Sequence, residues 1–166
     1  MTKKDANLTD SERALFRESM QSLRSTSSSE SAEATVSVWR ELAHMNHVGP
    51  EDEMSFVPQT LSQTERRRLK RGQCAIEGRC DLHGLTQEEA LVMLSEFVAR
   101  QQHLQHRCVL IVHGKGGRVG DDTAILKNLT GRWLLAHPAV VAFHSALPRQ
   151  GGAGATMVLL KSQPAR

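Results

Sequence analysis

The run Cys108-Val-Leu-Ile-Val112 is apolar from end to end and breaks into His-Gly-Lys-Gly-Gly. Five apolar residues closed by glycines read as a strand covered on both faces, since a half-exposed strand would alternate with polar residues. A strand of that kind needs helices beside it, and the chain supplies them. Before it, LTQEEALVMLSEFVARQQ carries a capping box from Thr86 to Glu89 and an apolar stripe at Ala90, Leu91, Leu94 and Val98. After it, DTAILKNLTGRWLLAH is expected to turn Ile125, Leu126, Leu129, Trp133 and Leu134 inward. CAIEGRCDLHG reads as a strand or a pair of short extended pieces. AVVAFHSA and TMVLLK read as two strands that LPRQGGAG joins as a hairpin. The order is β-α-β-α-β-β. Helical crossovers make the first strands parallel and the hairpin adds an antiparallel member, which gives a two-layer α/β sandwich with a four-stranded mixed sheet.

The chain upstream differs in character. TDSERALFRESMQSL is expected to form a short amphipathic helix capped by Thr9 or Asp10, with Leu15, Phe16, Met20 and Leu23 at helical spacing. The Ser-rich run RSTSSSESAEAT that follows is too polar to bury and reads as a flexible linker. VSVWRELAHMNHV suggests a transient helix around Trp39, and GPEDEMSFVPQTLS an extended, poorly ordered piece. The expected division is residues 1–63 as helix plus linker and residues 64–166 as a basic segment plus the α/β domain. That basic segment, QTERRRLKRGQ, is helix-like and brings Arg66, Arg67, Arg68, Lys70 and Arg71 together before a stop at Gly72.

Charge follows the same division. Residues 1–63 hold six lysines and arginines against ten acidic residues, so the basic excess lies entirely in the remainder. A basic domain favours a polyanionic partner, because bound Lys and Arg release the counterions of phosphates. No stretch approaches the roughly 20 apolar residues of a membrane span, and the first residues lack an apolar signal region. The expectation is a soluble, cytosolic protein with no membrane partner. Three cysteines, Cys74, Cys80 and Cys108, are odd in number and lack C-x-x-C spacing, which argues for free thiols over disulfides or a zinc ribbon.

In open α/β sheets, ligands bind beyond the carboxyl ends of the strands. Two His-Gly pairs fall there, in CDLHG and VHGKGG. They would present Asp81, His83, Gly84, His113, Lys115 and the amides of Gly114, Gly116 and Gly117 to one crevice. His83 is suited to general acid or base work, with Asp81 fixing its tautomer. Glycine amides beside a lysine suit a bound phosphate. His113 is either a second proton-transfer group or a phosphate donor. A base, an acid and a cation are the groups needed to cleave a phosphodiester with a ribose 2′-hydroxyl, a route that requires no metal. A divalent ion on Asp81 and the histidines is less favoured, because no dense carboxylate cluster is visible. Gly151, Gly152, Gly154 and Thr156 would let a backbone approach at the sheet's edge. Arg118 and the Arg66–Arg71 stretch would follow the flanking backbone. With no Tyr, four Phe and two Trp, the chain lacks the material for an aromatic base-stacking platform.

DLHG after a strand, VLIVHGKG after a helix and LPRQGGAGATMVLL at the end, in that order, resemble the Smr (small MutS-related) domain over roughly Cys74 to Lys161. The LFRESM helix, the linker and the LKRG segment resemble the longer, stand-alone bacterial members. The resemblance implies a β-α-β-α-β-β fold and a role in nucleic-acid metabolism. It implies endonuclease activity, on DNA in domains attached to MutS-like proteins and on RNA, including translated messages, in several stand-alone members. The family's D-x-H motif falls on Asp81 and His83 and its HGxG motif on His113, Gly114 and Gly116. On that basis the expected function is metal-independent cleavage of RNA, with DNA nicking or non-catalytic binding to nucleic acid or ribosomes as alternatives. The N-terminal helix is then the element to dock on a ribosome.

Overall fold

The computed structural model describes residues 48–116 and 124–162. The expected N-terminal helix and linker, together with Gly117 and Arg118, lie outside the described residues. Ten elements follow in order: β1 (Ser55–Phe56), α1 (Gln63–Lys70), β2 (Gly78–Asp81), α2 (Gln87–His103), β3 (Cys108–Val112), α3 (Ile125–Ala136), β4 (Val140–Ser145), 3-10 turns over Pro148–Gln150 and Gly152–Gly154, and β5 (Ala155–Leu160). None of the described helices is long and apolar enough to cross a membrane.

The β-α-β-α-β-β core is present, in a five-stranded mixed sheet ordered β1-β4-β5-β3-β2. β2 and β3 run parallel, with Asp81 opposite Val112. β5 lies antiparallel to both β3 and β4. The hairpin supplies the expected antiparallel members, its second strand lying between β3 and β4. The fifth strand, β1, comes from GPEDEMSFVPQTLS. That segment is extended but packed: Met54 is fully buried, its backbone pairs with Ser145 in both directions at 2.8 Å, and Phe56 lies 5.9 Å from Phe143 between ring centroids. The packed body thus reaches back to Val48.

The continuous apolar character of β3 has a direct structural cause. Val109 and Ile111 face one side, where Ala90, Leu94 and Val98 of α2 and Leu129 and Leu134 of α3 cover them. Cys108 and Leu110 face the other side with Met157 and Leu159, under Leu61 and Leu69. Leu69 belongs to α1, so the basic helix covers the second face of the sheet through one apolar residue. Its start is capped by Ser62, whose hydroxyl accepts the Glu65 N–H at 3.2 Å. Gly72 ends it as expected, with φ +62°.

The stripe of α2 is as expected, and its capping box closes with Thr86 N–H donating to Glu89 at 2.8 Å. The stripe of α3 is not. Leu129 and Leu134 are buried and Leu126 and Trp133 half-buried, but Ile125 is 47% exposed and Lys127 is only 1% exposed. Lys127 goes inward because its ammonium finds main-chain acceptors there, a pairing that offsets the cost of burying a charge.

Candidate active site

Parallel pairing carries β2 and β3 to the same end of the sheet, and Leu82 N–H extends the ladder by donating to Val112 C=O at 2.6 Å. Both His-Gly pairs emerge side by side as a result: a β-carbon placed on Gly114 would lie 3.7 Å from His83 Cβ. The corner after β2 is a turn closed by Leu85 N–H on Leu82 C=O at 3.1 Å, with Gly84 at φ +79°. Residues with a β-carbon disfavour that left-handed conformation, which is the physical reason for glycine there. The turn also leaves His83 pointing out, with 72% of its side chain exposed.

Asp81 holds His83 by two contacts to the same oxygen. Oδ1 accepts from the ring Nδ1 at 2.6 Å and from the His83 backbone N–H at 3.1 Å. The imidazole hydrogen bond, in front of a smaller opposing effect of burial, keeps the Asp81 carboxyl below its usual range. An ionised Asp81 places the proton of neutral His83 on Nδ1, so Nε2 offers its lone pair to solvent.

His113 is arranged in the opposite way. It is 2% exposed, and both ring nitrogens are engaged inside the protein: Nδ1 donates to Gly114 C=O at 2.7 Å and Nε2 accepts from the Thr156 hydroxyl at 2.9 Å. Burial pushes its pKa down to about 4. Both ring nitrogens of His113 are thus engaged within the fold, where the sequence led to the expectation of a second proton-transfer group or a phosphate donor. Its geometry instead braces the loop beneath the crevice. The backbone N–H groups of His113 and Gly114 both donate to Gly154 C=O, at 3.1 and 2.9 Å. The Gly114 amide expected to hold phosphate is thereby already engaged. Gly114 is at φ +79°.

Lys115 and Gly116 lie at the exposed rim of this loop. Gly154 packs so closely on Lys115 that a β-carbon there would come 3.3 Å from the lysine's N and Cγ. Gly151 and Gly152 shape the same loop from positive φ, but Gly151 faces Ala155 and a β-carbon on Gly152 would touch nothing. It is Gly154 that makes the close approach to the site. The ammonium of Lys115 is 2.9 Å from both carboxylate oxygens of Glu51. Sequence reasoning gave no role to Glu51, and no local signal marks it, since 64 residues separate the pair.

The basic helix α1 occupies the second face of the sheet. Arg67, Arg68, Lys70 and Arg71 are exposed, while Arg66 is half-buried and donates to Gln59 at 2.8 Å. No hydrogen bond or ion pair among the described residues joins this cluster to His83 or Lys115. Its end does abut the β4–β5 loop, because a β-carbon on Gly72 would strike Leu147. Among the described residues no group of three or more His, Cys, Asp and Glu side chains converges as a metal site would. Cys74, Cys80 and Cys108 are free thiols.

Residues 80–161 match the Smr domain family. The chain is 37% identical over 119 residues to proteins named ribosome rescue factor SmrB from Salmonella paratyphi B and Salmonella newport, an alignment covering 70% of this chain and 59% of each relative. It thus spans well under two thirds of the length of the curated relatives it matches. Among solved structures it is similar to YdaL, a stand-alone small MutS-related protein from Escherichia coli, with a TM-score of 0.62 and 27% identity over 71% of this chain and 90% of that one. Family match, relatives and fold agree with the motif order, and the chain belongs to the Smr family, its Smr domain running through residues 80–161.

Proposed function

We propose that this protein cleaves RNA at an internal phosphodiester, with His83 as the general base. The observation that carries this reading is the Asp81–His83 pair: a carboxylate fixes Nδ1–H at 2.6 Å and leaves Nε2 free on an exposed corner beside the Gly114–Gly116 loop. His83 Nε2 takes the proton of a ribose 2′-hydroxyl and the 2′-oxygen attacks phosphorus. The bond to the 5′-oxygen then breaks and that oxygen takes a proton from water at this exposed corner, giving a 2′,3′-cyclic phosphate end and a free 5′-hydroxyl. Lys115 and the exposed loop at Gly116 neutralise the charge that grows on the phosphate oxygens. His113 holds that loop in place and takes no part in proton transfer. Exposed cations of α1 and Arg149 beside the β4–β5 loop attract the flanking strand.

RNA is preferred to DNA because this chemistry needs the 2′-hydroxyl, and the name of the Salmonella relatives points to ribosomes as the place where that RNA is met. The deciding experiment incubates the protein with end-labelled RNA, single-stranded DNA and duplex DNA, with and without EDTA, alone and with ribosomes, and identifies the product ends. Cyclic phosphate ends formed in EDTA are the expected result. 5′-phosphate ends that need a divalent ion would replace the base mechanism with a metal-assisted one, and nicked duplex DNA would give the DNA-cleaving reading. Binding without cleavage of any substrate would leave a non-catalytic adaptor.

A further inference from the structure

The segment before β1 is clamped to the domain from beneath. Buried Lys127 donates its ammonium protons to the carbonyl oxygens of Gly49 at 3.0 Å, Pro50 at 3.2 Å and Asp52. An ammonium has three protons, and here each has an acceptor on the same short stretch. Asn128 adds a two-way clamp on Val48, accepting its N–H at 3.2 Å and donating to its C=O at 2.9 Å. Burial draws the Lys127 pKa down, while the carboxylates of Asp52 and Glu51 oppose that shift. The main chain from Val48 to Asp52 is therefore held by side chains of α3 across about 75 to 80 residues of sequence.

From this fixed backbone Glu51 reaches out to Lys115. Both its oxygens are 2.9 Å from the ammonium, an arrangement in which a carboxylate takes the place a phosphate's oxygens would take. Both side chains are largely exposed, so the pair is weak and can be exchanged for another anion. We propose that Glu51, presented by the Lys127-clamped segment, is a positioning residue of the nucleic-acid site: it holds Lys115 in place when the site is empty and is displaced by the phosphate of the bound strand. This inference rests on the phosphodiester reading of the site. It also makes the segment from Val48 to Asp52 part of the binding machinery, although that segment precedes the matched family region. Displacement costs the pair's own stability, so removing the Glu51 charge should strengthen binding.

The test measures the dissociation constants of a short single-stranded RNA and of inorganic pyrophosphate, each followed through the amide resonances of Gly114 and Gly116. Glu51→Gln should tighten both about two- to fivefold, the range expected for an exposed ion pair. The gain should vanish in a Lys115→Ala background. Glu53→Gln, the same change of charge two residues away, should give a smaller gain. A Glu51→Gln gain that survives in full without Lys115, or one matched by Glu53→Gln, would show general charge repulsion and overturn the proposal. So would unchanged affinity for two ligands that both bind. If RNA fails to bind while pyrophosphate shows the Lys115-dependent gain, the phosphodiester reading falls and the exchange at Lys115 stands. If neither ligand binds, both fall.

Discussion

The corner after β2 and the loop after β3 each carry a His-Gly pair, and the two dipeptides lie side by side, yet they have opposite fates. His83 is held by one carboxylate on Nδ1 and is otherwise in solvent, whereas His113 is held on both nitrogens and buried. The difference lies in the neighbours on each side. β2 is an edge strand, so its exit turn meets water, while β3 is flanked on both sides and its exit runs under the β4–β5 loop. The exposure of each imidazole is thus a matter of strand position, and a motif match treats the two histidines as equals when the fold does not.

The sharpest way to break this contrast is to exchange each imidazole for alanine. His83→Ala should reduce RNA cleavage by about 10²- to 10⁴-fold, the range for losing a general base, with thermal midpoint and RNA affinity almost unchanged. Equal loss of binding and rate would remove the catalytic assignment. His113→Ala should act on the fold, lowering stability by about 3 kcal/mol, because it leaves a cavity and two unpaired buried groups at Gly114 C=O and Thr156 Oγ1. Urea unfolding would measure this, and a fully stable His113→Ala protein with no activity would restore a catalytic role to that ring.

How far the contrast was legible in the sequence depends on the range of the contacts involved. The helices and the β2–β3 pair were readable because capping and periodicity are local, and the nearness of His83 to Gly114 follows from parallel pairing alone. β1 was not, since two residues become a strand through bonds between Met54 and Ser145 that cross 91 positions. The burial of His113 was equally hidden, because its second partner, Thr156, lies 43 residues on. Lys127 ran against its own residue type: nothing near it in sequence shows that three carbonyls await an ammonium.

Acid should sharpen the comparison further. Folded His113 accepts a proton only near pH 4, whereas an unfolded histidine does so near 6.5. Its contribution is therefore fully present above about pH 6.5 and is lost as pH falls toward 4, by about 3 kcal/mol in all. His137 and His144, also lowered by burial, act in the same direction. The diagnostic is thus the difference between the wild type and His113→Gln in urea midpoints from pH 7 to 4, which should narrow as pH falls. A constant difference would mean that His113 is not held neutral. The smallest change, Thr156→Val, removes one hydrogen bond to His113 Nε2 and should cost about 1 kcal/mol while raising the pH at which His113 titrates, as followed by its ring resonances.

The central place of β5 bears on the biosynthesis of the molecule. β5 is synthesised after every other described element, yet it is the strand that joins β3 to β4, and it supplies Thr156 while the turn leading into it supplies Gly154. While the ribosome still holds that stretch, β3 lacks its antiparallel neighbour, and the loop after it lacks the carbonyl and hydroxyl that brace it. A nascent chain thus carries Asp81 and His83 well before the sheet that sets them beside the loop after β3 is closed.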